Sequence, residues 1–279
     1  MKATITSIFC LLITLISQAQ TTTATDCINK AQRFVEKKNY EEAMKVLTEG
    51  IKEMPDSVNL YDTRGALLEA FRMYNEAIKD FSKGVEKATN DKTKAHFLSN
   101  RGGSKYKIRD FEGSYKDLIE ALRLDSTNLA ALNNLAIVCD EVHKPEETLI
   151  YLYKIIAIDS VNAIAYMNIG FKYQSMNEHA KAITFFDKAL ELDPKESYAY
   201  NNRAFSKLKL NDLKGATKDV NLSIKLNSGN SYAYKNRALI YIEEKKYKEA
   251  CADLTKANEL GYTRQYGKEV NELIIKYCN

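Results

Sequence analysis

The sequence predicts an all-α solenoid: helical hairpins stacked in series and closed by a terminal helix. Three observations predict it. The chain repeats itself, since Tyr166-Met-Asn-Ile-Gly170, Tyr200-Asn-Asn-Arg-Ala204 and Tyr234-Lys-Asn-Arg-Ala238 begin 34 residues apart, and a period of that length marks a stacked-repeat architecture. Within each period the apolar residues recur at helical spacing. Two places of the period hold only small side chains in every copy.

Extending the spacing divides residues 20–264 into seven units, at 24–57, 58–94, 95–128, 129–162, 163–196, 197–230 and 231–264. Only the second is irregular, with extra residues near Asn90 to Lys94. The eighth place holds Ala31, Gly65, Gly102, Ala136, Gly170, Ala204 and Ala238, and the twentieth holds Ala43, Ala77, Ser114, Thr148, Ala182, Ala216 and Ala250. Two antiparallel helices of about 14 residues, roughly 21 Å long, cross closely only where such residues leave room for a larger neighbour. In the fifth unit Tyr166, Ile169, Gly170 and Tyr173 mark one face of a first helix, and Ala182, Phe185, Phe186, Ala189 and Leu190 mark a second. Pro55, Pro145 and Pro194 fall at turns or at a helix start, where a missing N–H is tolerated. Gly102-Gly103 and the insertion before it predict a soft seam between units two and three. Residues 265–279 form the cap: Val270, Leu273, Ile274 and Tyr277 share one helical face, and a solenoid's last repeat needs such a cover.

The small residues at the eighth and twentieth places, the early aromatic residues and Asp193-Pro194 closing the fifth unit resemble the tetratricopeptide repeat family over residues 24–264. The resemblance implies a right-handed α-solenoid that binds other proteins without catalysis. Lys105 and Lys207 depart from it at the eleventh place, where the family usually carries an aromatic residue. The carboxylate clamp of chaperone-binding members is missing, because Lys235 is the only lysine at the fifth place and the ninth never holds Asn.

Composition narrows the function further. With 279 residues, 45% hydrophobic and 28% charged, the chain is neither collagen-like nor disordered. Its 41 Lys and Arg against 37 Asp and Glu are interspersed, which excludes a nucleic-acid footprint or a polybasic membrane patch. Lys2, the apolar stretch Ile5 to Ile16 and Ser17-Gln18-Ala19 predict a signal peptide over residues 1–19, and export to the periplasm or beyond. The stretch is shorter than the roughly 20 residues a spanning helix needs, so no membrane span is expected after cleavage. His96, His143 and His179 lie in different units, and no phosphate loop or nucleophile elbow is present. No catalytic residue, metal or cofactor is therefore expected. Cys27 and Cys139 take places of large apolar residues. Cys251 and Cys278 approach if the cap packs like the first helix of an eighth unit, which export permits to become a disulfide.

The candidate site is the concave face, lined by the second, fifth, ninth and twelfth places of each unit. Units one and two offer a mixed polar set there: Thr25, Ile28, Gln32, Asn59, Asp62 and Glu69. Units four to seven offer Ile137, Ile164, Met167, Phe171, Tyr198, Phe205, Leu208, Tyr232, Leu239 and Ile242. Exposed contiguous apolar surface marks an interaction site, so these predict a groove for a peptide segment of another protein. The alternative is burial of the stripe against neighbouring helices or the cap. At the sixth place stand Asn29, Asn100, Asn134, Asn168, Asn202 and Asn236, poor helix formers whose amides suit either a bound peptide backbone or a structural bond between helices. Arg64, Arg101, Arg203 and Arg237 share the seventh place and are expected to pair with carboxylates of the neighbouring helix.

Overall fold

The computed structural model of the chain describes residues 23–278. The signal peptide expected over residues 1–19 lies outside the described residues. Helices alone make up the regular structure of the described part. They pair as hairpins: α1 (Ala24–Glu36) with α2 (Tyr40–Glu53), α3 (Val58–Ala70) with α4 (Tyr74–Lys87), and α5 (Asp91–Lys107) with α6 (Phe111–Leu124). The pairing continues with α7 (Leu129–Glu141) and α8 (Pro145–Ile158), α9 (Ala163–Ser175) and α10 (His179–Leu192), α11 (Ser197–Lys209) and α12 (Leu213–Leu226), and α13 (Ser231–Glu243) and α14 (Tyr247–Glu259). A short α15 (Tyr262–Tyr266) and the capping helix α16 (Glu269–Tyr277) follow. The chain forms two compact units, the first ending at Ala131 and the second beginning at Leu132, inside α7.

One turn joins the two helices of every hairpin. Lys38, Arg72, Arg109, His143, Asn177, Asn211 and Lys245 all have φ between 58° and 66°, and each is the fifteenth residue of its repeat. In each, the next N–H reaches back to the carbonyl five residues earlier, as Asn39 N to Phe34 O at 2.8 Å and Lys246 N to Tyr241 O at 2.8 Å. This is the Schellman arrangement, which satisfies carbonyls that a helix end leaves free. No glycine stands at any of the seven sites.

Beyond the turn, the helices cross where the eighth residue is small. A Cβ on Gly65 would stand 2.5 Å from Phe81 Cε1, and one on Gly170 would stand 2.7 Å from Phe186 Cε1. The facing residue is the twenty-fourth of the repeat: Leu47, Leu152, Val220 and Leu254 stand opposite alanines, Phe81, Leu118 and Phe186 opposite glycines, and phenylalanine occurs only opposite glycine. Phe81, Leu118 and Phe186 are fully buried.

The arginines at the seventh place grip the second helix. Arg64, Arg101, Arg203 and Arg237 each hold an Asp sixteen residues on, through Nε and Nη2: Asp80, Asp117, Asp219 and Asp253, at 2.7–2.8 Å. The carboxylates are buried, and bidentate geometry is what makes such a burial tolerable. Lys105 and Lys207, the departures at the eleventh place, join the same cluster at 2.8 Å from Asp117 and Asp219. In these two hairpins the cation at the eleventh place adds a second partner for the buried anion, whereas hairpins two and seven hold the same Asp with Leu68 and Tyr241 there.

The seam expected between units two and three is closed. The inserted residues lengthen α5 to 17 residues, capped by the Asn90 side chain on Thr93 N at 2.9 Å. Phe97 then packs on Gly84, where an added Cβ would lie 2.2 Å from its ring. Gly102 sits against Leu118 without breaking the helix.

Left-handed backbone costs an L-residue about 1–2 kcal/mol relative to the right-handed form, with Asn partly exempt. Arg72→Gly is therefore expected to stabilise the protein by about 0.5–1 kcal/mol and Asn177→Gly by less, read as the shift in the urea midpoint of each variant.

Candidate functional site

Within the compact unit that begins at Leu132, the first helices α9, α11 and α13 line a depression of about 370 Å³. Side-chain caps set the start of two of them: Asn162 Oδ1 accepts from Ala165 N at 2.9 Å, and Glu196 Oε1 accepts from Tyr198 N at 2.9 Å. With starts fixed, residues seven apart fall on one face, and this brings Phe171, Tyr198, Phe205 and Tyr232 to the depression. Gln174, Asn201, Asn202, Lys235, Asn236 and Tyr266 complete the lining.

The amides are linked in one direction. Asn236 Nδ2 donates to Asn201 Oδ1 at 2.9 Å, and Asn201 Nδ2 donates to Asn202 Oδ1 at 3.2 Å. Gln174 Nε2 donates to Asn202 O at 2.7 Å and to Ser206 Oγ at 2.8 Å. Asn236 is 4% exposed, and its Oδ1 meets no donor. Lys235 is 6% exposed, yet its charge is met: Nζ lies 2.9 Å from Glu269 Oε1. Glu269 Oε2 in turn accepts from Tyr262 OH at 2.9 Å, and burial, with Glu269 beside it, holds the Tyr262 phenol well above the usual tyrosine range.

The end of the chain builds the far wall. Gly261 (φ 86°) and Gly267 (φ 99°) bracket α15 with left-handed backbone that only glycine adopts freely. The turn they allow lays Tyr266 against Tyr232, ring centroids 4.4 Å apart, with Tyr262 at 5.0 Å from Tyr232. Val270 of α16 is buried, and Cys278 just past its end is disulfide-bonded to Cys251 of α14, Cα atoms 5.6 Å apart. Cys27 and Cys139 are free and buried, and burial pushes the Cys139 thiol up to about 12, so it is not a nucleophile at neutral pH.

A second depression of about 290 Å³ adjoins the first. Ile137, Asn168 and Phe171 line it, with Lys172 Nζ 2.6 Å from Asp140 Oδ1 on its wall. Phe171 belongs to both.

The expected stripe is divided by burial. Ile137, Ile164, Phe171 and Tyr198 are exposed, while Met167, Phe205, Leu208, Tyr232, Leu239 and Ile242 are half-buried. Tyr232 and Ile242 pack into the cluster around Ala238, Leu254 and Tyr262, beneath the cap, and Leu208 into the cluster around Val220 and Ile240. Of the sixth-place amides, Asn168, Asn202 and Asn236 line the depressions, and Asn134 lines neither. Ile164, Met167, Leu208 and Leu239 also line neither. Gln174, Asn201 and Lys235 occupy the same twelfth and fifth places as the apolar candidates, and a count restricted to apolar residues passes over them. Tyr266 lies outside the repeat and carries no periodic signal. Among the described residues no group of three or more His, Cys, Asp or Glu side chains is placed to hold a metal. No described helix is long and apolar enough to cross a membrane.

Seven hairpins with small residues at the crossing and a site assembled from successive first helices define an all-α repeat protein of the solenoid class. Residues 163–196, 185–218 and 231–260 each match a tetratricopeptide repeat model, so this part of the chain carries tetratricopeptide repeats. A tetratricopeptide repeat protein of Parabacteroides merdae superposes with a TM-score of 0.68 at 17% identity, over 90% of this chain and 98% of that one. The C-terminal part of a TPR repeat-containing protein from Cytophaga hutchinsonii gives 0.63 at 20% identity, over 87% and 98%. YrrB, a TPR protein with an unusual peptide-binding site, gives 0.54 at 18% identity, over 67% and 95%. No match is found among curated proteins.

Two measurements probe this region. The disulfide closes a loop between residues 27 apart, and removing it by Cys278→Ser is expected to lower the unfolding free energy by up to about 3.5 kcal/mol, read by urea denaturation. His179, at the place where other repeats carry tyrosine, packs on Phe205 with ring centroids 6.1 Å apart, and burial, then Lys209, lowers its pKa. A histidine lowered on folding binds its proton more readily in the unfolded chain, so its contribution is lost as pH falls below about 6.5. The stability advantage of His179→Tyr over the wild type is therefore expected to grow between pH 7.5 and 5.5, measured by thermal unfolding. His96 behaves oppositely: Asp62, 2.8 Å away, raises its pKa, so its contribution is present at acid pH and fades as pH rises.

Proposed function

We propose that the chain is a non-catalytic adaptor that seats an extended segment of a partner protein along α7, α9, α11 and α13. The observation that carries this reading is the pair of adjoining depressions sharing Phe171, which is 57% exposed, with Tyr198 50% exposed beside it. Large apolar side chains at that exposure are anchors awaiting a partner. The amides of Asn168 and Asn202 flank them and can hold a backbone. First helices stacked at 8–10 Å intervals set a path of roughly eight extended residues. The likeness to YrrB supports a peptide as the occupant. The predicted signal and the bonded Cys251 and Cys278 support an exported protein, periplasmic or secreted.

A second reading is an assembly subunit of a cell-envelope complex that uses its edges or convex face. Ile150, Ile158 and Val161 favour it, being exposed and outside both depressions.

Affinity capture with residues 20–279 separates the two. A partner retained by the wild type and lost, by at least tenfold, from a Phe171→Glu, Tyr198→Glu variant with unchanged helical circular dichroism is the expected result. A partner kept by that variant and lost from Ile150→Glu, Val161→Glu would overturn the groove reading in favour of the second.

A further inference from the structure

The depression between α9, α11 and α13 has a chemistry more selective than a generic groove. Its walls are rings: Phe171, Tyr198, Phe205, Tyr232 and Tyr266. Its floor holds a polar atom with nothing to bind, Asn236 Oδ1, buried in a residue 4% exposed. The direction of the amide chain sets which atom is left over. Asn201 engages only one of the two polar atoms of Asn236, and with Asn201 Nδ2 donating onward to Asn202 Oδ1 the atom left alone is the Asn236 oxygen, an acceptor. Buried polar atoms are almost always paired, and leaving one unpaired costs about 1–3 kcal/mol.

Charge removes two classes of guest. Lys235 Nζ and Lys209 Nζ already lie over the Phe205 ring, at 5.5 and 5.2 Å. A guest ammonium or guanidinium would meet both positive charges, and the Phe205 face is already taken. A guest carboxylate would find the Lys235 charge met by Glu269 at 2.9 Å. What remains is a neutral, flat group with a hydrogen-bond donor at its edge.

Resting on the adaptor reading, we propose that this depression is the specificity pocket for an aromatic side chain that carries a donor, tryptophan foremost and tyrosine next. Its ring stacks among Phe171, Tyr198 and Tyr232, and its N–H or O–H is donated to Asn236 Oδ1. An indole suits the floor best, because it donates and has no acceptor left to satisfy. A volume of about 370 Å³ accommodates one such ring together with the backbone that carries it. Tyr266, delivered by α15, closes the side that no eighth repeat covers.

The chain contains no tryptophan, so an indole in a ligand is a clean fluorescent reporter. The probes are peptides selected from a random twelve-residue phage library on residues 20–279. Selected peptides are expected to share a Trp or Tyr at one fixed position, with Trp emission shifted to the blue on binding. Replacing that Trp by 1-methyltryptophan, which removes only the N–H, is expected to weaken binding to the wild type about tenfold. The same replacement should change little against Asn236→Leu. The ligand-side change needs no variant to fold, so the test stands even where Asn236→Leu does not. Peptides that are lost with Phe171→Glu but lack a donor-bearing ring, or that tolerate N-methylation, would overturn this inference and leave the groove intact. Peptides indifferent to Phe171→Glu, or none selected, would overturn both.

Discussion

Every hairpin in this protein depends on one close crossing of two helices, at the eighth residue of the first and the twenty-fourth of the second. Where the eighth residue is glycine the partner is Phe81, Leu118 or Phe186, and where it is alanine the partner is Leu or Val. Phenylalanine appears only opposite glycine, because interiors pack as densely as organic crystals and a ring there leaves no room for a Cβ. From that contact the seventh and twenty-third residues are placed side by side, one turn away. Four hairpins use the proximity for an Arg and Asp pair with two-pronged geometry. The fourth and fifth repeats carry Leu135 and Tyr151, and Ile169 and Phe185, at the same two places. The same two places thus serve two chemistries, and changing one partner of an ion pair without the other would strand a buried charge.

How much of this was legible in the sequence depends on which residues carry a signal of their own. The period and the crossing were legible, since Gly and Ala recur at a place where nothing larger fits. The hairpin turn was not. A left-handed residue usually announces itself as glycine, but here Lys38, Arg72, Arg109, His143 and Lys245 adopt it under the constraint of helices already packed on both sides. Local preference was overridden by tertiary contact. Gly102-Gly103 likewise leaves the helix unbroken, as Leu118 packs against Gly102.

The candidate site divides along similar lines. Phe171 and Tyr198 were readable as concave and apolar, because register alone places them. Tyr232 was readable in register, but its partial burial was not, since the rings that cover it come from α15, five residues between two glycines with no helical period to reveal it. Gln174, Asn201 and Lys235 lay in the right register and were hidden by polarity. Their placement becomes intelligible only with Glu269, thirty-four residues beyond Lys235 and in a different element.

That pairing shows what the end of the solenoid does. A terminal cap has only to cover the apolar face left by the last repeat, and Val270 with its neighbours Leu273 and Ile274 accomplishes this. Glu269 and Tyr266 go further: one neutralises a lysine that no core would otherwise admit, and the other supplies a ring to the wall of an open depression. Compare α7, whose buried residues Leu132, Leu135 and Val138 are all apolar, with α11 and α13, which bury Asn201, Lys235 and Asn236. An apolar floor beneath the depression would leave no such atom unpaired, and under low dielectric an unpaired polar group costs most. A fold that holds an incompletely bonded amide there gives up stability at that place, and the proposed aromatic guest is what would offset the loss.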